Sequence, residues 1–519
     1  MSIDSAPRKG WASLKDLTGY QWFVFIVCCL AWDLDCMDQQ LFVLARRPAM
    51  TELVTKVKTD DPRLPAFREE LNKSIAEKNK AAGTEKPQPG EAQVLAGLQN
   101  ADIADAATSA TSFFMLGWAV GGIFFGIAGD RIGRVKTLTL TILLYSLFTG
   151  LNSLSSSTTD FYIYRFLTGL GVGGAFAAAV TLLADTMPDT ARPYVLGLFQ
   201  ATSVIGNVSA ALISMKLGDM LEQGAFKDRT LFGNAMVPWR LMFCLGVLPG
   251  ILVVIVQLKL REPEKWLAAK KAGGVKKAGS YSELLGDAKW RKRAIFGLIL
   301  ALSGVIGLWG IGFFSPDLQQ FAAEPRYKQE AVEKGLATPE QLKVNTLPPE
   351  AVKYVNGQKA YWAGITSLVQ NSGSFLGIFA FSFITPYLGR RLTFAFFFVM
   401  AGLSTAGVFL YLNAWEDIFW MIPIMGFFQL AIFGGYAIYL PELFPTRLRS
   451  TGTSFCYNVG RLFAAAGPFA LGLLTSRVYS GLEDPLPLRY AGVTMCSVFL
   501  LGLLALPFLP ETKGKPLPE

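Results

Sequence analysis

The chain has 519 residues, 52% of them hydrophobic and 17% charged, with a net charge of +9 and no histidine. So high an apolar content exceeds what a soluble core of this size needs and places the chain in the membrane class. The lack of histidine excludes an imidazole proton relay and leaves carboxylates as intramembrane proton carriers, and the basic balance comes with no basic soluble domain that would hold nucleic acid.

Runs long enough to cross about 30 Å of hydrocarbon at about 1.5 Å per residue are expected near 21–45, 106–128, 137–155, 160–184, 194–217, 238–258, 294–318, 359–384, 392–412, 416–440, 452–476 and 488–509. The expected fold is all-α integral membrane, with twelve transmembrane helices in two pseudo-symmetric six-helix bundles. Residues 1–20 form the N-terminus, 21–258 the first bundle with an insertion at 46–105, and 259–293 a linker. Residues 294–509 form the second bundle with an insertion at 319–358, and 510–519 the C-terminus. The first run is too long for a cleaved signal and reads as a permanent helix. Cys28, Cys29, Cys36, Cys244, Cys456 and Cys496 all fall in these runs, which leaves no external disulfide framework and makes them small buried hydrophobes.

Loop charge sets the expected orientation. Segment 259–293 carries eleven bases against four acids, whereas 46–105 has ten of each and 319–358 five of each. Positive charge is retained on the cytoplasmic side, so the linker and both termini are expected there and the two insertions outside. Polar, proline-bearing stretches within the insertions, 78–91 and 339–350, are expected to be partly disordered.

Along the chain, helix one carries Asp33, Asp35 and Asp38, and helix four carries Arg165. Asp35 and Asp38 share a helix face by their i, i+3 spacing, with Asp33 turned about 200° from Asp35. Counted from helix ends, Asp38 and Arg165 both fall in the outer third and could pair. Arg461 in helix eleven falls roughly 14 Å deep, near the midplane, where a cation suits a carboxylate. Polar groups at similar depth are Gln200 and Asn207, Gln370 and Asn371, Gln429, and Tyr457 and Asn458, with Trp309 and Phe313 as an aromatic wall. Each alone is more often a helix-helix hydrogen bond or packing group than a ligand contact; their weight is collective.

One loop pattern occurs twice. Asp185, Pro188 and Arg192 recur as Glu442, Pro445 and Arg449, while Gly133-Arg134 recurs as Gly389-Arg390. With Gly129, Asp130, Arg131 and Arg447, these read as ion-paired latches at the inner helix ends. Duplicated halves are what a carrier needs to rock about a central site. The string Gly169-x-Gly171-x-x-Gly174 fits a dinucleotide fingerprint only formally, since it lies inside an apolar run with no preceding strand, and reads as close helix packing.

Residues GDRIGRVKT (129–137), YRFLTGLGVGG (164–174), WRLMFCLGVLPG (239–250), REPEKWL (261–267) and PETKG (510–514) together resemble the major facilitator superfamily. The Asp35-x-x-Asp38 pair, GFFSPDL (312–318), YLPELFPTRLRSTG (439–452) and Arg461 look most like its aromatic-acid and metabolite proton symporters; other motifs resemble its sugar porters. The resemblance implies proton coupling at Asp35, Asp38 and Arg165, with substrate binding at Arg461. The expectation is proton-coupled uptake of a small organic anion by a monomer in a bacterial inner membrane, with the proton as coupling ion and no cofactor. A proton-coupled sugar transporter and a transporter-like sensor that binds without transport stay open. No catalytic constellation supports an enzyme.

Overall fold

The computed structural model describes residues 10–82, 90–223, 225–231, 233–271, 278–312, 315–343, 347–464, 466–479, 482 and 486–518. After a 3-10 turn, Gly10–Asp16, the first half runs through α1 (Gly19–Leu53), α2 (Leu64–Ala82), α3 (Glu91–Arg131), α4 (Arg134–Asn152), α5 (Thr158–Thr186) and α6 (Arg192–Glu222). A two-residue hairpin, Thr230–Leu231 with Asn234–Ala235, leads to α7 (Pro238–Leu245) and α8 (Pro249–Lys259). The linker forms α9 (Glu264–Lys271) and α10 (Tyr281–Gly286). The second half holds α11 (Ala288–Ile306), α12 (Ser315–Glu333), α13 (Pro339–Lys343), α14 (Pro349–Leu388), α15 (Arg390–Tyr411) and α16 (Ile418–Glu442). It ends in α17 (Arg449–Ser454), α18 (Gly460–Ala464), α19 (Ala466–Leu473), α20 (Leu486–Met495) and α21 (Val498–Ala505).

Among the described residues, ten helices are long and apolar enough to cross a membrane. The other two expected spans are broken into shorter pieces. The run at 238–258 divides at Gly246–Leu248 ahead of Pro249, which lacks the N–H that would continue the helix. The run at 452–476 is interrupted by π turns at Phe455–Val459 and Leu474–Val478.

Of the two stretches expected to be partly disordered, the described parts are largely helical. Residues 78–82, 90–91 and 339–343 lie in or at the start of helices, 83–89 and 344–346 lying outside the described residues. Arg63 bridges Asp61 and Asp102 at 2.8 Å each in the first insertion. In the second, Tyr327, Ala331, Ala351 and Val355 make a small apolar core, closed by Lys359 to Glu324 at 2.7 Å. Local apolar spacing thus outweighs the polar composition.

The internal duplication reaches the helix packing. A Cβ added at Gly117 or Gly121 of α3 would strike the carbonyls of Phe166 and Leu170 of α5. One at Gly373 or Gly377 of α14 would strike those of Pro423 and Phe427 of α16 in the same way. Backbones can approach this closely only through glycine, the usual device for helix pairs in lipid. The string Gly169, Gly171, Gly174 packs likewise, against Phe114, Tyr145 and Phe125.

A second matched pair caps helix ends at the face away from the termini. Arg240 donates to the Ser153 and Ser155 carbonyls at 2.7 and 3.0 Å after α4. Arg489 donates to the Leu410 and Leu412 carbonyls at 2.6 and 2.7 Å at the end of α15. Each guanidinium satisfies carbonyls that the helix leaves unpaired. The described residues nearest both ends lie at the opposite, terminal face, where Ser13 bonds the Thr190 carbonyl and Arg449 bonds that of Pro518.

Candidate functional site

At the terminal face the duplicated motifs fold into one buried ion network. Arg134 lies 3.2 Å from Asp130 and 3.0 Å from Asp185, and crosses to the second half by donating to the Thr446 carbonyl at 2.6 Å. Asp185 also accepts from Arg449 of the second half. Asp130 receives the Ser450 and Thr451 N–H groups at 3.1 and 2.9 Å and the Thr451 hydroxyl at 2.7 Å. Within the second half Arg390 grips Glu442 at 3.0 and 2.8 Å. The repeated arginines keep a common backbone role, since Arg192 donates to the Ala184 carbonyl and Arg449 to that of Pro441, both at 3.2 Å. Their acidic partners diverge: Arg449 reaches across to Asp185, whereas Arg192 pairs with its neighbour Asp189. Arg131 donates to the Ala278 carbonyl of the linker, and Arg447 to Glu283.

Gly133 and Gly389 stand at φ +119° and +89°, in the region that favours glycine. Each leaves room for a carboxylate at the start of the next helix. Glu262 accepts the N–H groups of Arg134, Val135 and Lys136 at 2.7 to 3.2 Å, and Glu511 those of Arg390 and Arg391 at 3.0 Å. Burial works to raise the Glu511 carboxyl, but these N–H groups, that of Lys513 and the Arg390 charge outweigh it and hold it below the usual carboxylate range.

From this network a seam runs inward between α3 and the broken helix eleven. Ser450 packs on Gly129, the Ser454 hydroxyl donates to the Gly122 carbonyl at 2.5 Å, and the Asn458 amide donates to the Gly173 carbonyl at 3.0 Å. The last rung is Arg461, whose guanidinium lies 3.6 Å from the centre of the Trp118 ring. Another closure stands beside α6 and α14, where Trp11 lies between Tyr194 of the first half, tilted against it at 4.9 Å, and Phe379 of the second, stacked on it at 4.7 Å. The structure is therefore closed at the terminal face.

Above the seam lies a cavity of about 190 Å³ between the halves. Its wall is aromatic and aliphatic at Trp32, Leu308, Trp309, Phe433 and Tyr457, and amide-bearing at Gln39, Gln40, Gln200, Asn207, Gln370 and Asn371. Arg461 is the one charged residue in the lining, among the described residues. It donates to the Tyr457 hydroxyl at 2.8 Å, and its Nε has no hydrogen-bond partner. Asn207 and Asn371 face each other across the halves at 3.4 Å. An apolar wall with a few convergent polar groups is the usual make-up of a small-molecule site.

Of the residues singled out from sequence, Gln200, Asn207, Trp309, Gln370, Asn371, Tyr457 and Arg461 meet in this cavity. The structure places Gln429 elsewhere, donating to Thr405 at 2.7 Å, and Asn458 in the seam below. Phe313 lies outside the described residues. Asp35 and Asp38 are fully buried behind the wall. Asp38 and Arg165 make no hydrogen bond to each other: Arg165 stacks over Phe243 and Phe42 at 4.7 and 5.1 Å, and Asp38 faces it together with Thr149. Asp33 turns toward Thr202 of α6. Sequence reasoning missed Trp118, Gln39, Trp11 and the two capping glutamates. Only the glutamates carried a legible signal, each standing next to a proline just after the last span of its half.

The chain is similar to known proteins. The profile of the sugar (and other) transporter family covers residues 71–294 and 361–519. The chain is 27% identical over 413 residues to the cis,cis-muconate transport protein of Acinetobacter baylyi, spanning 78% of this chain and 85% of that protein. It is 24% identical over 398 residues to a probable 4-methylmuconolactone transporter of Cupriavidus pinatubonensis, spanning 76% and 79%. Among solved structures, the proton:xylose symporter XylE of E. coli shares the fold, with a TM-score of 0.59 at 16% identity over 96% of this chain and 98% of that one.

Proposed function

Since the chain belongs to the sugar (and other) transporter family of the major facilitator superfamily, we propose that it takes up a small organic anion in symport with protons. The observation that carries this reading is the solitary charge of the cavity: Arg461 is exposed to the lining with no lining carboxylate to neutralise it. A guanidinium in that position is completed by a carboxylate, which its planar fork binds in two-point fashion. The muconate carrier among the relatives is named for such a substrate.

Proton coupling rests on Asp35 and Asp38. Both are fully buried, and both leave at least one carboxyl oxygen without a hydrogen bond. A carboxylate so enclosed is costly when ionised, so proton binding and release there is a natural partner to movement of the halves. Arg165 beside Asp38 supplies a fixed counter-charge. In the cycle, substrate and proton enter with the terminal face closed; the Asp185, Arg134 and Arg449 network then parts, and the cavity opens to the other side. The terminal face is assigned to the cytoplasm, and the membrane to a bacterial inner membrane.

Uptake by the full chain in liposomes tests this. An inward proton gradient should drive accumulation of radiolabelled benzoate or cis,cis-muconate, and xylose should not compete. Accumulation of xylose instead would assign the six cavity amides to sugar hydroxyls. Saturable anion binding without exchange would make the protein a sensor.

A further inference from the structure

We infer that Gln39 is the positioning residue that carries the protonation state of Asp35 into the substrate cavity, an inference that rests on the organic-anion reading above. Gln39 lines the cavity, and its Nε2 donates to Asp35 Oδ2 at 3.2 Å. The two stand one helical turn apart on α1, so the amide is a lid between a fully buried carboxyl and the place where a substrate sits.

Asp35 Oδ1 has no hydrogen bond, and Gln39 is the polar side chain bonded to the other oxygen. The charged and titratable groups that face Asp35 are Asp38 and Cys36 on its own helix, Arg461 and Tyr457 of helix eleven, and Tyr145 of α4. Arg461 is directed at Tyr457 and Trp118. An ionised Asp35 only accepts, so it holds the amide by its NH2 group and leaves the carbonyl oxygen of Gln39 for the cavity side. A proton taken up on Oδ2, the oxygen that faces Gln39, turns that oxygen into a donor, and the acceptor the amide offers it is its own carbonyl oxygen. The amide then turns over and presents its NH2 group to the cavity.

The wall of the cavity that Arg461 also lines thus changes at Gln39 from acceptor to donor when Asp35 takes a proton. An acceptor repels a carboxylate and a donor binds it. Proton and anion are coupled with no motion larger than an amide rotation, and by reciprocity a bound anion strengthens the hold of Asp35 on its proton.

The test is equilibrium binding of radiolabelled benzoate and cis,cis-muconate to the full-length protein in lipid nanodiscs. Wild-type affinity should rise on the order of tenfold from alkaline to mildly acidic pH, the effect of gaining one hydrogen bond to a charged group. Gln39→Met, of equal length but unable to hydrogen-bond, should bind weakly at every pH. Asp35→Asn, which donates permanently, should bind tightly at every pH, and Asp35→Asn with Gln39→Met should be as weak as Gln39→Met alone. A Gln39→Met protein that keeps the wild-type pH profile, or a double variant that keeps the tightness of Asp35→Asn, overturns the role of Gln39. Wild-type protein that binds neither anion at any pH overturns the organic-anion reading, and the inference with it.

Discussion

Asp185 of α5 and Arg449 of α17 form a fully buried ion pair that joins the two halves at the terminal face. Arg134 shares the same carboxylate from within the first half. One acid therefore serves two arginines, and a single neutralisation leaves Arg449 without its carboxylate and Arg134 with Asp130 alone.

Asp185→Asn should accordingly open the terminal face. Removing one partner of a buried pair costs about 3–5 kcal/mol, and the part of it that belongs to the Arg449 contact falls on the closed state alone. Cysteines placed on either side of the seam should become reactive to a membrane-impermeant thiol reagent from that face. Unchanged reactivity would mean that the pair does not hold the closure.

Trp11 offers a gentler lever on the same equilibrium. Its ring contacts to Tyr194 and Phe379 cannot both survive separation of the halves, and aromatic pairs are worth about 0.5–1.5 kcal/mol each. Trp11→Ala should shift the population toward the open terminal face by about tenfold. Spin-label distances between α6 and α14 would record the shift, and equal distributions in both proteins would dismiss it.

Arg461→Lys should keep the charge yet lose the planar contact with Trp118 and the two-point fork. Carboxylate counterflow should drop at least about tenfold, and Arg461→Gln should abolish it. Trp118→Leu frees Arg461 from its resting contact and should tighten binding while slowing exchange, a split visible in the half-saturation concentration and the maximal rate.

Glu511 makes the terminal face sensitive to acid. Its carboxyl lies below the usual carboxylate range in the folded protein, so the unfolded chain binds the proton more readily. Its contribution to stability is complete above the ordinary glutamate value and fades as pH falls through the depressed one. Thermal melting of wild-type and Glu511→Gln protein should differ at neutral pH and converge in acid. A constant difference across pH would show that the loss is one of packing alone.

Much of the fold was legible because lipid forces long apolar runs and a repeated loop betrays duplication. Orientation-free features such as Asp185 and Arg449 could be placed at one face, yet their pairing across the halves could not: the motif repeats, while its partners diverge. Arg165 and Asp38 illustrate the same gap. Depth counting put them at one level, but helix rotation decides contact, and Arg165 turned to Phe42 and Phe243. Gln429 and Asn458 had suitable depth but face a neighbouring helix rather than the cavity. The π turns that interrupt helix eleven were invisible because they need no proline or glycine signature of their own, whereas the break ahead of Pro249 carried one.

Those π turns fall, among the described residues, in the second half, at Gly307–Ile311, Phe455–Val459 and Leu474–Val478. Two of them flank the cavity, next to Trp309 and Tyr457. Single widened turns of this kind are frequent at functional sites. The halves are thus alike in topology and unlike in helix winding, with two of the wider turns of the second half placed at the cavity.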